Sequence, residues 1–156
     1  MIVVRPFAEE DASALAGLMM EMAAFYGASV AADRPVGAEI IRQSKCTDII
    51  VADQAGGLLG FATFTSLYPV AGLIAFTYIQ QIYVAAAGRR LGVAQRLMAS
   101  VAATAQTRGC TRLEWSTGRD NGAARALYDG LGATGSEKVH YVLEGEALGR
   151  LAAQRP

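Results

Sequence analysis

The chain has 156 residues, 53% of them hydrophobic, and its 14 Lys and Arg balance 14 Asp and Glu to a formal net charge of zero. That length suits a single domain, residues 1–156, able to bury roughly two-thirds of the surface its unfolded form exposes, and the charge balance removes the basic excess on which nucleic-acid binding draws. Cys46 and Cys110 stand far apart without CxxC or Cys/His spacing, which speaks against a disulfide framework and against a metal site and leaves two buried free thiols as the expectation.

The opening Met-Ile-Val-Val-Arg-Pro is too short an apolar run for a signal-peptide core, so a cytoplasmic protein is expected. Ile2 to Val4 reads as a first strand stopped by Arg5-Pro6, and Glu9-Glu10-Asp11 suit the positive end of the helix that follows. Along that helix Leu15, Leu18, Met19, Met22 and Tyr26 form one apolar stripe until Gly27 ends it. A second helix is expected over Val36 to Gln43, entered through Pro35. Ile49 to Ala52 and Leu58 to Thr65, joined by Asp-Gln-Ala-Gly-Gly, read as a hairpin, and Pro69 and Gly72 mark the next turn. The run Leu73 to Val84 is β-branched and aromatic. Even its apolar neighbourhood, Val70 to Ile79, falls far short of the ~20 residues of a bilayer span, so no membrane contact is expected. It empties into Ala-Ala-Ala-Gly-Arg-Arg-Leu-Gly before a helix with Val93, Leu97, Val101 and Ala105 inward and Gly109 at its close. Thr111 to Thr117 reads as a strand, Asn121 to Leu131 as a helix, and Val139 to Leu143 as a last strand.

A strand, helix, strand order over 73–117 requires a crossover that sets its two strands parallel, while the earlier hairpins are antiparallel. The fold class is therefore α/β: a mixed, mostly antiparallel sheet with helices on both faces. The high apolar share also points to a homodimer interface.

Arg89, Arg90, Leu91, Gly92, Val93, Ala94 and Gln95 lie between an apolar strand and an amphipathic helix, where backbone N–H groups and the helix dipole point at any docked anion. Gly92 allows close approach, and the two arginines add positive charge suited to phosphate. No Gly-Lys-Ser/Thr follows Gly88 or Gly92, which excludes a P-loop.

Arg89-x-x-Gly92-x-Ala94 after a strand resembles the pyrophosphate loop of the GNAT acetyltransferases, and Asn121-Gly-Ala-Ala-Arg-Ala-Leu-Tyr128-Asp-Gly-Leu-Gly132-Ala resembles the later helix of that family at the same spacing. Within the superfamily, Tyr78 to Val84 and Tyr141 to Leu148 look most like the diamine acetyltransferase branch. The resemblance implies acetyl-coenzyme A as cosubstrate and N-acetyl transfer to a primary amine by direct attack in a ternary complex. By position it implies that backbone groups of Ile82, Tyr83 and Val84 pair with the pantetheine arm, that residues 89–95 hold the pyrophosphate, that Asn121 bonds the arm and that the Tyr128 phenol is the general acid. Its acceptor region corresponds to Phe25, Tyr26, residues 66–73, Tyr78, Gln80 and Tyr83, with Asp33 the nearest acid in sequence. That lining is aromatic and neutral, so a small amine with an apolar body and at most one positive charge is expected.

One departure matters. Many relatives carry Glu on the central strand where this chain has Gln80-Gln81, and an amide takes no proton at neutral pH. Glu114, a water chain or an acceptor that arrives deprotonated are the alternatives for the base; His140, the sole histidine, reads as structural. The same departure fits a catalytically weak coenzyme A-binding protein.

Overall fold

The computed structural model describes residues 1–70 and 72–154, which form two compact units, the first Met1–Gly118 and the second beginning at Arg119. The first holds β1 (Val3–Pro6), α1 (Ala12–Phe25), α2 (Val36–Gln43), β2 (Asp48–Gln54), β3 (Gly57–Val70), β4 (Ile74–Val84), α3 (Val93–Thr107) and β5 (Arg112–Glu114). The strands lie in the order β1-β2-β3-β4-β5. The first three pairings are antiparallel, and β4 with β5 is parallel, as the crossover through α3 requires.

Period-two alternation sorts the sheet into two faces. Ile49, Val51, Phe61 and Tyr83 join Leu15, Leu18 and Ile40 in one core, covered by α1 and α2. Ile50, Ala52, Ala62 and Phe64 turn the other way, and there α3 buries Val93, Leu97, Met98, Val101 and Ala105. The inward positions expected of α3 are thus its core. Of the stripe on α1, Leu15 and Leu18 are buried and Met19 and Met22 pack against them, but Tyr26 lies beyond the last helical turn and is exposed.

Two ion-pair clamps fix the helices to the strands. The Arg5 guanidinium holds Asp11 at 2.6 and 2.8 Å and Asp53 at 2.9 Å, tying the entry of α1 to β1 and β2. Arg5 keeps the Asp11 carboxyl below the usual carboxylate range, and the Ala8 N–H adds to this against the opposing effect of burial. At the end of α3, Arg108 grips Asp48 at 2.6 and 2.7 Å and lies over the Phe64 ring.

Several boundaries differ from expectation. The first strand runs on to Pro6, because β1 is an edge strand and a proline there forfeits no outer ladder bond. The third continues through Pro69 to Val70, with a register shift between Leu67 and Val70 that takes up the proline. The fifth spans only Arg112–Glu114 instead of 111–117, because it pairs with only three residues of β4. Cys46 is exposed, its thiol directed to the Gln43 carbonyl at 3.3 Å, so only Cys110 is buried.

The second unit holds α4 (Gly122–Gly130) and α5 (Gly145–Ala152). The strand expected over Val139 to Leu143 does not form. Among the described residues of their own unit its β-forming residues have no second strand to pair with, and Val139, Tyr141, Val142 and Leu143 are exposed. Among the described residues no helix is long and apolar enough to cross a membrane.

Candidate functional site

The site is built where β4 leaves its neighbours. Thr63 pairs with Gln81 but Phe64 with Ile79, so Gln80 is an inserted residue, and the bulge leaves both Gln80 and Gln81 exposed. On the other side β5 follows β4 only along Phe76, Thr77 and Tyr78. Among the described residues no strand pairs with Ile79–Val84 along that edge, which leaves main-chain groups of Ile82, Tyr83 and Val84 open to an added extended chain.

Beyond Val84 the chain is pinned before it turns. The Ala85 N–H donates to the Leu59 carbonyl at 2.9 Å, and a short 3-10 turn at Ala86–Gly88 follows. Gly88 is buried so tightly that a Cβ would stand 2.9 Å from that same carbonyl oxygen. Arg89 is extended, Arg90 adopts a left-handed φ of 62°, and Gly92, at φ 73°, caps α3. A left-handed arginine is strained and persists only where its surroundings require it. The helical ladder opens with the Arg96 N–H on the Gly92 carbonyl, so the N–H groups of Gly92, Val93, Ala94 and Gln95 precede the first intrahelical donor. Its chain neighbours aside, no described residue places an atom within 4 Å of the position of a Cβ on Gly92. Buried Val93 anchors the helix start, while Arg89, Arg90, Leu91 and Gln95 are exposed. Positive dipole, unspent donors, two cations and open space together make an anion cradle.

A side-chain cluster stands beside it. The Arg89 guanidinium lies 5.2 Å from the centre of the Phe25 ring. Phe25 packs edge-on against Tyr26 and, at 6.3 Å, against Tyr83. The buried Tyr83 phenol donates to the Glu21 carboxylate at 2.9 Å. Burial, and then Glu21, raise that phenol above its ordinary pKa. Phe25 thus links Tyr26 with Tyr83 and Arg89, residues expected on opposite sides of the reaction. Glu21 was not expected; its one sequence signal is that it stands four residues before Phe25, on the same helical face.

The other expected positions are more scattered. The Tyr78 hydroxyl pairs with the Ser116 hydroxyl at 3.2 Å, at the last rung shared by β4 and β5. Ser66 instead reaches Thr77 and Arg108 on the face covered by α3, and Ala71 lies outside the described residues. The Glu114 carboxylate is engaged by Arg112 at 2.7 Å. His140 is exposed in an irregular stretch. In the second unit Asn121 is the N-cap of α4, its side-chain oxygen accepting from the Ala124 N–H at 3.2 Å. Tyr128 follows seven residues later on the same helical face, half-buried.

The model of the acetyltransferase (GNAT) family matches residues 19–133. The chain belongs to that family. Members of the GNAT family are acetyl-coenzyme A-dependent acetyltransferases, and the GNAT fold binds acetyl-coenzyme A. An integron cassette protein from the mobile metagenome of V. cholerae superposes with a TM-score of 0.83 at 25% identity, over 98% of each chain. A ribosomal-protein-alanine N-acetyltransferase from Brucella melitensis biovar Abortus 2308 gives 0.76 at 24% identity, over 93% of this chain and 100% of the other. An aminoglycoside N-acetyltransferase in complex with CoA gives 0.72 at 22% identity, over 92% and 99%. The latter two likenesses concern the fold. No match was found among curated proteins.

Proposed function

We propose that this GNAT chain is an acetyl-coenzyme A-dependent N-acetyltransferase for a small primary amine, which attacks the thioester directly in a ternary complex. The observation that carries the reading is one continuous segment: an unpaired β4 edge that leads through a pinned turn to a left-handed Gly92 with open space before it. The N–H groups of Gly92 to Gln95, with Arg89 and Arg90, would hold the pyrophosphate, and main-chain groups of Ile82, Tyr83 and Val84 would pair with the pantetheine amides. Acetyl-coenzyme A supplies an activated acyl group. Its thiol, with a pKa near ~8.5, leaves more readily when protonated, and the family motif assigns that proton to the Tyr128 phenol. Asn121, whose carbonyl oxygen caps α4, would offer its amide N–H groups to the cofactor arm.

The bulge presents Gln80 and Gln81 where a base is expected, and Arg112 engages Glu114. The acceptor therefore binds as its ammonium and gives up its proton to solvent, through a water chain, before it attacks. Exposed Phe25 and Tyr26, with half-buried Tyr78, suit an aryl or alkyl body. The likeness of residues 78–84 to diamine acetyltransferases argues for a second ammonium, but a polycation needs several carboxylates, and the single-cation acceptor is the reading we adopt.

Thiol release should be followed across aryl-alkyl amines, amino acids, polyamines, aminoglycosides and lysine peptides. The expected result is the highest kcat/KM for an aryl-alkyl monoamine. A polyamine in first place would overturn the charge argument. Coenzyme A binding without turnover of any amine would favour a second reading, to which Gln80 and Gln81 lend support: a coenzyme A-binding protein without effective catalysis.

A further inference from the structure

The cluster on α1 suggests how the acceptor is chosen. Glu21 is an exposed acid near the C-terminal end of a helix whose last turn holds no basic residue, a place where the helix dipole gives a carboxylate no support. It touches the sheet through the Tyr83 hydroxyl, which occupies one of the acceptor directions of one carboxylate oxygen. One helical turn on, Phe25 and Tyr26 expose 60% and 59% of their surface, an uncommon degree for two adjacent large rings. A carboxylate beside aromatic faces is the chemistry that recognises an ammonium group: the charge pairs with the acid, and the body and its polarised C–H groups lie against the rings. The face of Phe25 already holds a cation, the Arg89 guanidinium at 5.2 Å. Arg89 is also among the first charges of the anion cradle at the start of α3.

Resting on the acetyltransferase reading above, we infer that Glu21 with Phe25 and Tyr26 forms the ammonium subsite of the acceptor, and that Arg89 occupies the Phe25 face until the cofactor's pyrophosphate draws it away. Glu21 is then a specificity-determining residue, matched to one positive charge. Arg89 couples the two substrates: a free protein offers an acceptor cation a ring face that another cation already uses, and the coenzyme A complex vacates it.

The test is calorimetric binding of 2-phenylethylamine and of its neutral analogue 2-phenylethanol, at neutral pH, with and without saturating coenzyme A, to wild type, Glu21→Gln and Glu21→Asp. Glutamine still accepts a hydrogen bond from Tyr83, so packing is kept and the charge is lost. With coenzyme A bound, wild type should prefer the amine by about tenfold. Glu21→Gln should bring amine and alcohol to parity without changing alcohol or coenzyme A affinity, and Glu21→Asp should keep part of the preference. Without coenzyme A the wild-type preference should shrink to near parity. Equal weakening of amine and alcohol in Glu21→Gln would mark a merely structural residue and overturn the inference. So would a preference that survives Glu21→Gln, one that is the same with and without coenzyme A, or no amine binding at all. If coenzyme A itself failed to bind wild type, its own isotherm would show it, and the acetyltransferase reading would fall together with this one.

Discussion

The cradle at the start of α3 and the proposed acceptor wall at the end of α1 are neighbours through one arginine, yet they are made differently. The cradle is main chain: β4 edge, pinned turn, left-handed Arg90 and Gly92 and helix N-terminus follow one another within residues 82–95. The wall is side chain: Glu21, Phe25 and Tyr26 come from α1, and Tyr83 meets them from β4, 62 residues after Glu21. Backbone sites depend on local conformation and tolerate many side chains, whereas side-chain sites depend on long-range packing. On the proposed reading, binding of the common cosubstrate resides in the first and choice of acceptor in the second.

Variants can separate the two, and the largest effect is expected outside both. On the proposed role of Tyr128 as general acid, Tyr128→Phe removes a proton donor that acts in the transition state, so kcat should fall about 10²-fold while coenzyme A affinity stays within about twofold. Equal losses in rate and affinity, read by thiol release and calorimetry, would make Tyr128 a packing residue.

Next in size is the anchor of the wall. Asp11→Asn leaves the Arg5 guanidinium short of a charge partner and should cost about 1–3 kcal/mol of stability at neutral pH, with coenzyme A affinity nearly unchanged. The sign of its pH dependence follows from the lowered Asp11 pKa. Such a carboxyl adds stability that is complete above its unfolded value, about 4, and lost as pH falls through the folded one. Melting curves of wild type and Asp11→Asn should therefore differ most near neutrality and converge below about pH 4. A difference that grows with acid would break the assignment.

Gly92→Val comes third. The open space at Gly92 rules out an internal clash, so the cost arises from φ 73° and from a side chain standing where phosphate would approach. Coenzyme A affinity should drop tenfold or more, on the order of 1.4 kcal/mol. Unchanged affinity in a folded variant would remove the loop from the account.

The same contrast explains what was legible in the sequence. Arg89 to Gln95 announced themselves, because a glycine after arginines at a strand-to-helix junction is a local pattern, and the parallel crossover follows from strand, helix, strand order alone. The Gln80 bulge was not legible, since register depends on which residue of β3 each residue of β4 meets. Glu21 was missed for a related reason: on a helix read as an apolar stripe, one acid looks like solvent-facing charge until Tyr83 is placed against it. Val139 to Leu143 had the composition of a strand but lacked a partner, and composition carries no information about partners.

The central claim is that one continuous stretch of backbone binds coenzyme A, and amide resonances report on it directly. In a two-dimensional amide spectrum of the isotopically labelled protein titrated with coenzyme A, the N–H groups of Ile82 to Val84 and of Gly92 to Gln95 should shift together along one saturable curve, while those of Ile50 and Val51 on β2 stay in place. Saturable binding that leaves both segments unmoved would contradict the account.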